Sequence, residues 1–193
     1  MLPLRQRKVL NSMRHIQDTA LDLFEARGFA AVTVEEVAAA ADVSPPTIYR
    51  HFGSKERLVQ WDEYDPMMLA AIGGRMAEMP PLPAIRAGLL AALDRLDADE
   101  SGRIMRRARL VRKHPELQAA SAVEIDGMRR DLAALMLTSP DVGGPFDAAI
   151  LASTAIGIFR ATVDEWLRIG GSCSLRSIFD EAFERLSGLT SSA

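Results

Sequence analysis

The stretch TVEEVAAAADVSPPTIYRHFGSKERL, Thr33 to Leu58, constrains the fold more than any other part of the chain. It opens with a complete helix-start signal. Thr33 is an N-cap, Glu36 follows as the second half of a capping box, and Val32 and Val37 hold the hydrophobic-staple positions. A short helix therefore begins at Val34 and should stop near Ala41, because Asp42 is a poor helix former that tolerates a left-handed turn. Val43 plugs the turn and Ser44 can cap a second helix. Pro45 and Pro46 suit the first helical positions, where an N–H has no partner within the helix. A residue before proline is pushed away from helical geometry, so Pro45 can equally precede the helix. From Thr47 onward Ile48 and Phe52 point inward, Thr47, Arg50 and His51 outward, with Tyr49 at the edge. Gly53-Ser54 breaks the chain, and Ser54 caps a further helix with Lys55 in its first turn.

Two short helices joined by a tight turn, the second showing polar side chains from its N-terminal half, make a helix-turn-helix. That half is the part that reaches base edges in a major groove. The preceding helix places Ile16, Ala20, Leu23 and Phe24 on one face, and Gly28 ends it in a left-handed conformation with Phe29 folding back. Elsewhere helical spacing recurs without strand-like alternation. Breaks fall at Gly28-Phe29, Asp42, Gly53, Met79-Pro80-Pro81, Ser101-Gly102, His114-Pro115, Ser139 to Pro145, and Gly170-Gly171. The sequence predicts an all-α chain of about nine helices, with links of a length normal for helical bundles. The expectation is a three-helix helix-turn-helix DNA-binding domain over residues 1–53 and a helical domain for ligand binding and dimerisation over residues 54–193. A basic arm over residues 1–14, with Arg5, Arg7, Lys8 and Arg14, can lie along a phosphate backbone or enter a minor groove; it can equally be a solvated tail.

With a net charge of −3, nucleic-acid binding must come from a local basic patch. The one cysteine, Cys173, excludes an internal disulfide framework and a cysteine-based zinc cluster, and fits a reducing compartment. No apolar stretch with a cleavage site follows the basic N-terminus, and the apolar run Ala148 to Phe159 is too short to span a bilayer. The expectation is a soluble, cytoplasmic protein with no membrane partner. His15, His51 and His114 are scattered, no metal-ligand spacing occurs, and no nucleophile has an evident base, which speaks against an enzyme, a metal site or a cofactor. A rival reading is a helical interaction protein whose helix-turn-helix no longer binds specific DNA, kept open by Glu35 and the acidic balance.

From Ile16 to about Val59, with the pattern T…VAAAADVS…TIYRHFGSKERL, the chain resembles the DNA-binding domain of the TetR family of bacterial transcriptional regulators. The resemblance implies a ligand-responsive DNA-binding regulator, most often a repressor released from its operator by a small apolar or amphipathic effector. Residue by residue, it implies that Thr33 meets a phosphate and that Pro45, Pro46 and Thr47 begin the base-reading helix, with Ser44 just before them. Tyr49, His51 and Lys55 match phosphate-contacting positions. Arg50 matches a position that touches the groove in some members, where an arginine can read guanine. Asp42 stands where glycine is frequent, and Glu35 where some members carry a base-reading cation, so the first of the two helices should contribute less to readout.

One recognition helix reads few base pairs, so a homodimer on a palindromic double-stranded operator is expected. The run AAILASTAIGIF within Pro145 to Ile169 is apolar nearly all round and needs cover on two faces. Its small residues Ala148, Ala152, Ala155 and Gly157 permit close helix approach; Phe159 and Val163 continue the candidate interface, and Phe179, Phe183 and Leu186 extend it on the last helix. In the family the resemblance points to, the last two long helices form a four-helix bundle between subunits. Methionines concentrate between Met67 and Met136, and methionine suits a pocket for flexible apolar ligands as well as ordinary core filling. The candidate pocket comprises Trp61, Tyr64, Met68, Ile72, Met105, Met128 and Phe159, with Asp65-Pro66 kinking the helix that carries the first of them. Arg109 and Arg112 join it from the cationic run Gly102 to Lys113, whose remaining charges form a solvated face over a buried stripe of Ile104, Ala108 and Val111. Arg112 beside Met105 could hold an anionic head group. RARLVRKHPEL, with WDEYDP upstream, resembles a TetR branch that includes mycofactocin-associated regulators, which implies an effector such as an acyl-CoA or another apolar anion.

Overall fold

Thr33 builds the cap that its neighbours encode. Its Oγ1 accepts from the Glu36 N–H at 3.2 Å, and its own N–H donates to Glu36 Oε2 at 2.8 Å, so two orphan donors at a helix start are satisfied reciprocally. The computed structural model describes residues 3–96 and 98–191, which contain ten helices and no strand. They are α1 (Leu4–Arg27), α2 (Val34–Ala40), α3 (Pro45–Phe52), α4 (Arg57–Gln60), α5 (Asp65–Met76), α6 (Pro81–Leu93), α7 (Ala98–Lys113), α8 (Pro115–Met136), α9 (Pro145–Arg168) and α10 (Leu175–Ser191).

Two compact units divide these helices: residues up to Glu63 with Arg103–Ser121, and Tyr64–Gly102 with the chain from Ala122 onward. The line falls at Glu63 rather than Gly53, because Leu58 and Val59 of α4 are fully buried in the same core as Ile16, Phe24, Val37 and Ile48. Leu110 of α7 and Leu117 of α8 belong to that first core too, an intrusion from later in the chain that helical periodicity does not announce. Gly28, at φ 85°, closes α1 in a conformation that favours glycine, and Phe29 packs its ring edge-on against Phe24 with centroids 4.9 Å apart. Asp42 makes the turn after α2 at φ 53°.

The second unit packs Ile72 of α5, Ile85 and Leu89 of α6, Leu132 and Met136 of α8, Ala148, Ala152, Ala155 and Ile158 of α9, and Phe179 and Phe183 of α10 into one core. Gly88 lets α5 and α6 approach closely: a Cβ there would lie 2.7 Å from Ile72 Cα. Arg86 of α6 ties α10 through Asp180 at 2.5 Å and Glu184 at 3.3 Å. By length and composition α9 could cross a membrane, but its inner face lies in this core and its last turns carry Arg160, Asp164, Glu165 and Arg168.

Three expectations change. Trp61 to Tyr64 is a non-helical connection and α5 starts at Asp65, so the proline there opens a helix instead of kinking one. Ser101 and Gly102 lie inside α7, and the break falls between Leu93 and Ala98. The basic arm is helical from Leu4 and forms the first turns of α1; Met1 and Leu2 lie outside the described residues.

Candidate nucleic-acid interface

The recognition helix is held from behind. Ile48 and Phe52 are buried in the first core, and Phe52 meets the Trp61 ring edge-on at 5.8 Å. At 100° per residue this leaves the opposite arc to Pro46, Tyr49 and Arg50, all exposed, while Thr47 and His51 lie half-buried along one border. Tyr49 keeps 48% of its surface open to solvent, unusual for a large aromatic and unlike a side chain closing a small core. Ser44 occupies the N-cap in extended geometry, and Pro45 and Pro46 are the first two helical residues. The Ser44 hydroxyl does not cap a backbone N–H; it shares a 3.0 Å hydrogen bond with the Thr47 hydroxyl. That contact fixes the rotamers of two polar groups at the tip of the helix.

Thr33 is exposed at the start of α2 and Glu35 is exposed beside it. The Thr33 N–H, with the Arg27 guanidinium at 2.7 Å, holds the Glu36 carboxyl below its usual range. Lys55 is half-buried. The helix that should contain it starts only at Arg57, and its ammonium turns inward to donate to the Phe29 carbonyl at 2.5 Å, 4.2 Å above the Phe29 ring centroid. Of the arm cations, Arg5, Arg7 and Lys8 are exposed along α1, whereas Arg14 forks onto Glu63 at 2.7 and 2.8 Å.

A network unannounced by any motif fastens the exit from this unit. Gln17 is buried on α1 and donates to the carbonyls of Leu58 and Trp61 at 3.0 and 2.9 Å. Arg107 of α7 donates to the Trp61 carbonyl and pairs with Asp62. Arg106 pairs with Asp22 and Glu25 of α1 at 2.6 and 2.7 Å, and Arg103 approaches Asp18 at 3.9 Å. Half of the cationic run is thus engaged with acids rather than solvated. Gln17 carried the one available signal, a polar residue beside Ile16 and Ala20 on the buried stripe of α1.

The candidate pocket residues fall in both units. Arg109 and Arg112 are exposed, since Met105 and Leu110, not Ile104 and Ala108, form the buried face of α7. Trp61 packs against the first core, while Met68, Ile72 and Phe159 belong to the second and Met128 is half-buried on α8. Tyr64 donates its hydroxyl to Glu100. A cavity of about 490 Å³ in the second unit is lined by other residues, among them Met76, Met79, Ser139 and Asp141. Of the candidate dimer stripe, Ala148, Ala152, Ala155, Phe179 and Phe183 are buried in their own core, and Phe159, Val163 and Leu186 are half-buried. The outward face of α9 carries Phe146, Ile150, Ser153 and Gly157 instead.

A helix-turn-helix that presents the tip of its second helix, on an otherwise all-helical chain, defines a DNA-binding transcriptional regulator. Residues 16–60 match the family of bacterial regulatory proteins called tetR, and residues 79–190 match the MftR C-terminal domain. The chain belongs to the TetR family of bacterial transcriptional regulators, a family of regulators rather than enzymes. A Mycobacterium tuberculosis transcriptional regulator named for mycofactocin biosynthesis, MftR, is 31% identical over 176 residues, 88% of this chain and 86% of its own. The HTH-type transcriptional regulator TcmR of Streptomyces glaucescens is 31% identical over 194 residues, 95% of this chain and 86% of its own. Among solved structures, NalD, the secondary repressor of the MexAB-OprM multidrug efflux pump in Pseudomonas aeruginosa, shares the fold with a TM-score of 0.60 at 18% identity, over 91% of this chain and 94% of its own. The Thermus thermophilus repressor FadR, solved with lauroyl-CoA, does so with a TM-score of 0.52 at 19% identity, over 89% and 91%.

Proposed function

We propose that this regulator is a cytoplasmic homodimeric repressor that places two copies of α3 in successive major-groove turns of a palindromic operator and leaves it when an apolar effector binds. The observation that carries the reading is the outer arc of α3. Pro46, Tyr49 and Arg50 face solvent while Ile48 and Phe52 anchor the helix from behind. Arg50 supplies a guanidinium able to fork onto guanine, and Thr47 stands beside it. Thr33, Tyr49 and His51 flank the tip as phosphate contacts that set register without reading sequence. The exposed Arg5, Arg7 and Lys8 add a non-specific electrostatic component.

The effector site lies in the second unit among Met68, Ile72, Met128 and Phe159, whose unbranched or planar side chains adapt to a flexible apolar guest. The acyl chain of such a guest would provide recognition there. Lauroyl-CoA, the ligand in the FadR structure, is a reasonable first compound to test. An effector acts by binding one conformation of the second unit more tightly than another, and the Trp61 to Tyr64 connection would carry the change to the DNA-binding unit.

The test is a salt-dependent titration of the protein against fragments from its gene's upstream region and against random DNA. Saturable preference for the upstream fragment is expected. Arg50→Ala should remove about 1–3 kcal/mol of specific binding while leaving random DNA nearly unaffected. Equal, weak binding to both fragments by the unaltered protein would favour a helical interaction protein with a helix-turn-helix that has lost its operator.

A further inference from the structure

Of the residues that α3 turns outward, Pro46 offers a groove nothing but hydrocarbon. It is exposed on a helix whose Ile48 and Phe52 are locked into the first core, so its ring is presented rather than packed. Pro45 is half-buried beside it, which leaves Pro46 as the ring on the open arc. The limit on its chemistry is covalent. Proline has no N–H, so neither of these first two helical residues has a backbone donor to give. The next N–H, that of Thr47, donates to the Ser44 carbonyl at 2.9 Å. A carbonyl at the Pro46 position accepts from the N–H four residues on, within the helix. Arg50 stands on the same arc at that spacing, and it too is exposed.

Base pairs show the major groove hydrogen-bond donors, acceptors and one hydrocarbon group, the 5-methyl of thymine. Laid against any other edge, a proline ring displaces water without returning a hydrogen bond, which is unfavourable. Laid against the methyl it buries apolar surface, which is favourable. Cytosine in the same place would turn its N4 amino donor toward a ring that cannot accept. We infer that Pro46 is a specificity-determining residue that reads a thymine methyl close to the guanine read by Arg50. Residues four apart are separated by about 6 Å along a helix axis, and successive bases on a strand by about 3.4 Å. The thymine therefore lies within about two base pairs of the guanine in each half-site. This deepens the operator reading above and rests on it.

Selection of binding sites from a random-sequence DNA library by the unaltered protein supplies the site to be probed. In one half-site of the enriched sequence, each thymine is replaced in turn by deoxyuridine, which keeps base pairing and every groove donor and acceptor and removes only the methyl. Each guanine is likewise replaced by 7-deazaguanine, which lacks the N7 acceptor. One deoxyuridine is expected to weaken binding about fourfold, the effect of one buried methyl group. It should lie within about two base pairs of a 7-deazaguanine whose effect disappears in Arg50→Ala. Pro46→Gly should no longer distinguish thymine from deoxyuridine there, while its response to 7-deazaguanine persists. Pro46→Ser gives the same comparison if glycine frays α3. A deoxyuridine effect undiminished in both variants overturns the proposal, because DNA shape and not the ring then carries it. A methyl-sensitive thymine more than about three base pairs from the guanine overturns it as well. An enriched site indifferent to deoxyuridine throughout sinks this inference alone; enrichment of no sequence sinks the operator reading and this inference with it.

Discussion

Glu36 lies outside the interface yet decides whether α2 starts where it does. Its carboxylate accepts from the Thr33 N–H and pairs with Arg27, and both favour the charged form. The carboxyl is therefore held below its ordinary value of 4.5 in the folded protein. A depressed folded pKa contributes stability that is complete above the unfolded value and is lost as pH falls through the folded one. Glu36→Gln should accordingly melt below the unaltered protein near neutrality, by a gap that stays constant down to about pH 5 and narrows on further acidification. Thermal unfolding between pH 7 and pH 3 checks this. A gap that does not change with pH would mean that the carboxylate's charge does nothing and only its shape matters. At this scale the sequence was highly informative. Thr33, Glu36, Gly28 and Asp42 act on their own backbone neighbourhood, and a few adjacent letters carry the whole signal.

At the scale of the element, α7 separates what could be read from what could not. Its six cations were visible, but their partners Asp18, Asp22, Glu25 and Asp62 lie far off in sequence, and only the folded first unit brings them near. The start of the helix was obscured because Ser101 and Gly102 read as a break, while Asp99 and Glu100 favour a helix N-terminus ahead of them. Trp61 to Tyr64 is obscure in the sequence for the converse reason: no glycine marks it, and the following proline reads as a kink rather than a first-turn residue. The ion pairs are not equivalent. Arg106 meets carboxylates at the surface, one of them 72% exposed, where solvent screens the attraction. Arg107 and Asp62 are 13% and 21% exposed, and the same guanidinium also holds the Trp61 carbonyl. Arg107→Ala should therefore cost about 2 kcal/mol of stability, since it removes shielded, charge-assisted hydrogen bonds to Asp62 and the Trp61 carbonyl, and Arg106→Ala less than about 1 kcal/mol. Urea unfolding midpoints of the two variants measure the difference; equal shifts would mean that the exit segment is not held by Arg107.

For the whole molecule, the proposed homodimer needs a surface, and burial within one chain narrows the choice. The apolar run of α9 needed cover on two faces, and the sequence could not say which stripe met its own domain. The folded chain spends Ala148, Ala152 and Ala155 on its own core, where Ala152 is 0% exposed. The opposite face leaves Phe146 and Ile150 at 78% and 49% exposure and continues through the small residues Ser153 and Gly157. Association through that second face buries apolar surface still open to solvent and leaves the core intact, whereas association through the alanine stripe would require the core to come apart. The two stripes therefore respond differently to substitution. Ile150→Arg places a charge on the open face, so it should shift the protein toward monomer in sedimentation velocity while its melting temperature at low concentration stays close to that of the unaltered monomer. Ala152→Leu overfills a packed site and should cost about 1–3 kcal/mol of stability, with the folded fraction still dimeric. Operator affinity should follow the first variant down, because two half-sites about 34 Å apart are read by two linked recognition helices and not by one. If Ile150→Arg remains a dimer with full affinity, the partner meets the chain elsewhere, and the exposed face of α10 around Ser177, Glu181 and Arg185 becomes the next surface to charge.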